Sequence, residues 1–451
     1  MKKIMIQVRE FFYVNEFSVF VRKLFCFLCL LWVSSAFACD IPFQNFNKTY
    51  CLTPIANGSN GANQGSDVYQ VSGKSLQVSL NNRLIVRASG FTKLSLQAVD
   101  SRIASVSELY LMPEANYYSV TLHTRDQLPG VLKVLNNSSD ISMVQPDILQ
   151  LTVRTNVDLT ETGLTDTEDR QPTRNPAPYL LQLDIPTLWQ TTKGRGVSIA
   201  VIDDGFALNH DELRNTDVVF SYDAERKVQD VSPQSELDTH GTKVIGTIFA
   251  AHDGHGIDGI APEASLIAIR QPSTWTSSTL LSFYLSKLSD ADIVNASWNS
   301  QWLLEPLADI VTDLARNGRG GKGTAVVFSA GNNGAEQTSI EGIDSNEASL
   351  LDAVVIGSDD GIGHRTRFSN YGSSVDAYIY GKPAPALVSG GYGRFSGTSL
   401  STAVASGYFA LLLSNNPSLT LDQLVAQLSA QLHIAKLRSS EVRSSKVRKE
   451  R

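Results

Sequence analysis

The chain has 451 residues, 42% hydrophobic and 18% charged, a balance that excludes a mostly disordered protein and leaves room for a leader and two globular domains. Its net charge of -7 argues against a nucleic-acid binder, because phosphate affinity needs a basic face and the basic run here is confined to the C-terminal end.

Reading along the chain, Arg22 and Lys23 precede an apolar run from Leu24 to Val33 and then Ser34-Ser35-Ala36-Phe37-Ala38, the order of a secretory signal cleaved after Ala38. The apolar run is shorter than the roughly 20 residues that span a bilayer, so residues 1–38 predict export to the periplasm or the medium without a permanent membrane anchor. Lipid attachment at Cys39 is the lesser alternative. Of four cysteines, Cys26 and Cys29 leave with the signal, and Cys39 and Cys51 remain for a small disulfide loop. Residues 39–70, rich in Gly, Asn and Ser from Pro54 onward, read as a flexible lead, with order expected from about Val71. Over 71–157, alternating runs such as Tyr118-Ser119-Val120-Thr121-Leu122 and a helical spacing at Leu128 to Leu135 predict a small α+β domain. Residues 158–178, dense in Thr, Asp, Glu and Arg without apolar periodicity, predict an exposed linker. Residues 436–451 predict a solvated basic tail.

Between linker and tail, over 179–435, short apolar strands alternate with helical stretches: Val197 to Ile202, Leu266 to Ile269, Ile293 to Ala296, Ala325 to Phe328 and Val354 to Ile356. This predicts an α/β domain with a doubly wound parallel sheet and helices on both faces, in which function collects at the carboxyl ends of the strands. Four polar groups follow such runs: Asp203, His240 in Asp238-Thr239-His240-Gly241-Thr242, Asn332 in Ala330-Gly331-Asn332, and Ser399 in Gly397-Thr398-Ser399. Each alone has a plain structural use as a cap or a turn residue. Together they supply the parts of acyl transfer. Ser399 is a weak nucleophile that needs His240 as base, Asp203 holds the imidazole, and the Asn332 amide with the Ser399 backbone N–H forms an oxyanion hole.

Val201-Ile202-Asp203-Asp204-Gly205, His240-Gly241-Thr242, Ala330-Gly331-Asn332 and Gly397-Thr398-Ser399 resemble the four signatures of the subtilisin-like serine proteases, in the same Asp, His, Ser order. The resemblance runs from about Pro178 to Leu428, with weaker matches at Gly259-Ile260-Ala261-Pro262 and Phe368-Ser369-Asn370-Tyr371-Gly372. It implies a monomeric endopeptidase acting on protein or peptide substrates without a cofactor for the chemistry. It also implies that the small domain is a propeptide, an intramolecular inhibitor and folding aid, with cleavage after Arg170 or Arg174. Ser297-Trp298-Asn299 stands where the family's substrate-binding strand reads Ser, a large residue, Gly. Asp204 and Asp238 resemble the acids of the kexin-like branch, which attend basic substrate side chains. The loop Ala251 to Ile257 matches the family's calcium loop, so Asp253 and Glu212 are the expected side-chain ligands of a structural calcium. Ala403-Val404 after the nucleophile and Ile379-Tyr380-Gly381 also depart from the family pattern. A catalytically silent binding or scaffold protein, motivated by the altered Trp298-Asn299 wall, is the competing reading.

Overall fold

The computed structural model describes residues 39–55, 68–150, 177–336 and 346–432; the signal segment, most of the linker and the basic tail lie outside them. In the N-terminal part, β1 (Ile41–Asn45), β2 (Lys48–Pro54), β3 (Val68–Val71), β4 (Gln77–Ala88), β5 (Ile103–Leu111), β6 (Asn116–Leu122) and β7 (Ile141–Leu149) form one sheet. Its order is β1-β2-β3-β4-β6-β5, with β7 on β4, and its pairings are antiparallel. Two helices accompany it, α1 (Lys93–Gln97) and α2 (Leu128–Leu135).

The period-2 alternation of β4 and β6 buries both faces of this sheet. Leu84, Val86, Tyr118 and Val120 join Leu96, Leu128 and Leu132 in a core beneath the domain's own helices. Ile85 and Tyr117 point the other way, into a core shared with the larger domain.

Residues 39–55 of the lead carry strands that its composition does not predict: β1 and β2 pair in register from Ile41↔Leu52 to Asn45↔Lys48, and the Cys39–Cys51 disulfide closes the hairpin. Alternating apolar residues at Ile41, Phe43, Tyr50 and Leu52, all buried, outweigh the turn-forming residues around them.

In the larger domain, α3 (Pro178–Gln182) and α4 (Ile185–Leu188) lead into a sheet of β8 (Ser198–Asp203), β9 (Asp217–Asp223), β10 (Ser265–Arg270), β11 (Ile293–Ala296), β12 (Ala325–Ser329), β13 (Val354–Asp359) and β14 (Ala377–Tyr380). The order is β14-β13-β12-β11-β8-β10-β9 and every pairing is parallel. Near-continuous apolar strands fit a sheet covered on both faces. On one face Ile199, Val201, Leu266 and Val327 pack with α5 (His240–Phe249), and on the other Ala200, Ile202, Ile267 and Val326 pack with α6 (Thr276–Leu288) and α7 (Glu305–Gly321). A hairpin of β15 (Ala384–Val388) and β16 (Gly391–Phe395) follows the sheet. Helix α8 (Thr398–Asn415), buried from Thr398 to Leu413, runs beneath the first face, and α9 (Leu421–Gln431) closes the domain.

The five strands expected from apolar runs are present. Strands β9 and β14 were not signalled: β9 is an edge strand whose first residues are exposed, and β14 holds four residues, so neither presents a long apolar run. Strand β8 lies between β11 and β10, where the winding reverses direction, so its carboxyl end opens into the crevice that such sheets use for ligands.

Candidate active site

Asp203 is the last residue of β8 and its carboxylate has no exposed surface. A buried carboxylate is stable only when its oxygens are taken by donors. Oδ1 accepts from the Asp204 N–H at 2.8 Å, and the two oxygens lie 2.9 and 3.0 Å from His240 Nδ1. This assigns the Nδ1–H tautomer and turns Nε2 the opposite way. His240 Nε2 is buried and has no hydrogen-bond partner among the described residues. The ring also meets Phe395 edge to face, with centroids 5.4 Å apart.

His240 is the first residue of α5, where backbone N–H groups lack helical partners. Asp204 supplies acceptors: its Oδ2 takes the His240 N–H at 3.3 Å and its Oδ1 the Gly241 N–H at 2.8 Å. The negative charge also sits at the positive end of the helix dipole. Gly241 is required by close approach, because a Cβ there would lie 2.5 Å from the Gly205 carbonyl oxygen and 3.0 Å from Asp203 Cβ.

Asp238 pairs with Arg270 at 2.8 Å, and the same guanidinium pairs with Asp223 at 2.8 Å. Burial would raise the Asp238 carboxyl, but the hydrogen bonds from Arg270, the Gln234 N–H and Ser235 outweigh it and hold the carboxyl below its usual range. Both acids singled out for basic substrates therefore carry bonds within the chain.

Ser399 lies in the first turn of α8, buried. Its Oγ donates to the Ser297 carbonyl at 2.9 Å, and Ser297 Oγ donates to the Ser399 carbonyl at 3.2 Å. Asn332 follows β12, and its Oδ1 accepts from both the N–H and the Oγ of Thr398 at 2.9 and 3.0 Å. That pair of bonds fixes which side of the amide is the donor. Gly331, at φ +98°, makes the turn, and a Cβ on it would lie 2.5 Å from Asn370 Nδ2.

Asn370, which lies in the weaker match at Phe368 to Gly372, holds this turn. Its Oδ1 accepts from the N–H groups of Asn333 and Ala335, and its Nδ2 donates to the Ala330 carbonyl. Arg270 carried no signal, being one cation after an apolar strand. The Ile379-Tyr380-Gly381 departure is fixed by the Ser401 hydroxyl on the Ile379 carbonyl and by the Gly381 N–H on the Asp359 carbonyl. Ala403 and Val404 are fully buried in α8.

Of the expected wall, Trp298 is buried, with its indole N–H donating to the Ile202 carbonyl at 2.9 Å and its ring edge to face with Phe328. Asn299 is buried against the Ser329 carbonyl.

Glu212 is buried: Tyr392 donates to Oε1 at 2.5 Å, while Oε2 has no hydrogen-bond partner among the described residues. Burial raises its carboxyl, and the charges of Asp253 and Asp258 add to this against the Tyr392 hydrogen bond. The backbone of the 251–257 loop lies against the carboxylate, since a Cβ on Gly256 would fall 1.9 Å from Oε1. Asp253 is exposed and accepts the His255 N–H of its own loop. His252 contacts the Gly259 carbonyl through Nε2 and Trp189 through its ring edge, as a packing residue. Among the described residues no three His, Cys, Asp or Glu side chains are grouped to hold a metal ion. An orphaned buried carboxylate oxygen facing a carbonyl-bearing loop nevertheless fits a hard cation that takes mostly backbone ligands.

Comparison with known proteins gives a match to the subtilase family model over residues 194–442. The calcium-dependent protease of Trichormus variabilis is 29% identical over 285 residues, covering 53% of this chain and 42% of that protein. Subtilisin E of Bacillus subtilis is 29% identical over 256 residues, covering 55% and 64%. The chain thus spans less than two thirds of the length of these relatives. A crystal structure of a cold adapted subtilisin-like serine proteinase aligns with a TM-score of 0.46 at 25% identity, over 61% of this chain and 92% of that one.

The bridge from Asp223 through Arg270 to Asp238 yields a pH-dependent expectation. Arg270→Met removes the guanidinium that the two carboxylates share and destabilises the fold by about 3–5 kcal/mol at pH 7. Because Asp238 is depressed in the folded protein, its contribution is present above the unfolded carboxylate pKa of about 3.9 and fades as pH falls through the folded value. Urea unfolding at pH 7 and pH 3 should show the gap between variant and wild type narrowing in acid.

Proposed function

Since the chain belongs to the subtilase family, we propose that it is an exported serine endopeptidase working through Asp203, His240 and Ser399. The observation that carries this reading is the buried Asp203 carboxylate against His240 Nδ1, with Nε2 buried and ready to take a proton. In the reaction Ser399 Oγ leaves the Ser297 carbonyl for Nε2, loses its proton to it and attacks the scissile carbonyl carbon. Asp203 stabilises the imidazolium. The carbonyl oxygen takes the negative charge and is held by Asn332 Nδ2 and the Ser399 N–H at the start of α8. Collapse passes the His240 proton to the leaving amine and leaves an acyl-enzyme, which water hydrolyses by the reverse sequence. Extended segments of unfolded protein, able to lie along strand edges, are the substrate class.

Cleavage of the linker after Arg170 or Arg174 by the enzyme itself, with the N-terminal domain acting as folding partner and inhibitor, belongs to this reading. So does export through residues 1–38, which the Cys39–Cys51 disulfide supports, because such bonds persist in oxidising compartments. A structural calcium held by Glu212 and carbonyls of the 251–257 loop completes it, giving the Glu212 carboxylate a counter-charge. A silent scaffold is the second reading, favoured by the Ser399 hydroxyl bonding Ser297 in place of His240.

Residues 39–451, wild type and Ser399→Ala, should differ on one denaturing gel: the wild type is cut into two pieces and labelled by a serine-directed phosphonate, the variant neither. A folded wild type that stays whole and unlabelled hands the lead to the scaffold. Asn332→Ala should lower kcat by about 10²–10³, a magnitude already measured for the side-chain oxyanion donor of subtilisin itself. Millimolar calcium should raise the Tm of the wild type and leave that of Glu212→Gln unmoved; equal shifts in both would remove Glu212 from the site.

A further inference from the structure

Side chains alternate in direction along β11 and the residues that follow it. Val294, Ala296 and Trp298 lie in the core under α6 and α7, while Ile293 belongs to the core on the face that α8 covers. By the period of a strand, Asn295, Ser297 and Asn299 share that second face. All three are buried. A buried amide or hydroxyl is costly unless it is bonded, and apolar residues of similar shape would join strand and helix equally well. Three polar side chains in succession on one covered face therefore point to a role beyond packing.

Their bonds show which role. Ser406, about two turns past Ser399 on α8, donates its hydroxyl to Asn295 Oδ1 at 2.9 Å. That bond settles the orientation of the amide, and Nδ2 donates to Ser297 Oγ at 2.9 Å. Ser297 Oγ accepts this hydrogen and gives its own proton to the Ser399 carbonyl at 3.2 Å, while the Ser297 carbonyl takes the Ser399 hydroxyl at 2.9 Å. Each link donates in the same direction, from Ser406 through Asn295 and Ser297 to Ser399. The four residues are at most 3% exposed, so solvent does not stand in for a missing link.

The network ends on the residue whose two groups the reaction uses. In the first turn of α8 the Ser399 N–H has no helical partner and is offered to the oxyanion, and its Oγ attacks. Asn295 in turn pairs with Val201 of β8, the strand that ends at Asp203. The helix that carries the nucleophile is thus tied by side chains to the strand next to the one that carries the acid. Misplacing reacting atoms by about 1 Å costs on the order of 10²-fold in rate, so such a tie bears on catalysis.

We propose that Asn295 is a positioning residue for the nucleophile: with Ser406 and Ser297 it sets where α8 begins relative to β8, and so aligns Ser399 with His240 and the oxyanion hole. The proposal rests on Ser399 being the nucleophile, as in the reading above.

It is tested on residues 39–451 with a short chromogenic peptide. Asn295→Ala and Ser297→Ala should each lower kcat by about 10- to 10²-fold with KM held within about twofold. The double variant should be no slower than the slower single, because one path cut in two places loses its effect once. Retained kcat with a raised KM would make these residues substrate contacts, and losses that multiply would make them independent packing positions; either overturns the proposal. Should Asn295→Ala not fold, Ser406→Ala, which removes only the donor that orients the amide, carries the same expectation for kcat. Hydrogen exchange of the 397–403 amides in the same samples keeps the two ideas apart. A wild type that hydrolyses nothing and takes no phosphonate label ends the protease reading, and the network is then judged by exchange alone: faster exchange in Ser297→Ala than in wild type upholds it, and equal rates sink it.

Discussion

A carboxylate without solvent at the end of a central strand constrains everything around it. Asp203 has no water to share its charge, and the desolvation of such a group costs several kcal/mol unless donors surround it. The Asp204 N–H and His240 Nδ1 meet that need, and in doing so they fix the tautomer of the imidazole and the point where α5 begins. The site is therefore a by-product of stabilising one buried charge at the sheet's switch point.

The surrounding charges extend the same logic outward. Asp204 can stand next to Asp203 because it faces the first N–H groups of α5, and Asp238 is balanced by a guanidinium that also answers Asp223. Arg270 thus ties the edge strand β9 to the segment that delivers His240. On the other side of the crevice the equivalent tie is made by neutral groups, with Asn370 bracing the turn that presents Asn332, and Thr398 orienting its amide. Charged clamps hold His240, and uncharged ones hold Asn332.

Much of this was legible in the sequence. Five strands of the parallel sheet announced themselves as apolar runs, and Asp203, His240, Asn332 and Ser399 each follow a strand or open a helix as the local pattern requires. What local pattern could not carry were interactions closed over long separations. Arg270 meets partners 32 and 47 residues away, and nothing in its neighbourhood distinguishes it from a solvated cation. Trp298, read as a substrate wall, is held by a carbonyl 96 residues before it. The hairpin at Ile41–Pro54 packs two of its alternating apolar residues, Phe43 and Tyr50, against Trp302, a residue of the other domain that local pattern does not reach.

That last separation has a consequence for the order of events in synthesis. Asn45 and the Leu303 carbonyl it binds are 258 residues apart. At roughly 5–20 residues per second, the socket formed by Phe43 and Tyr50 waits about 10–50 s before the tryptophan that fills it has been made. During that interval the N-terminal sheet presents one open aromatic cleft and one uncovered face. The nascent chain thus passes through a stage in which its first domain is built but unfinished.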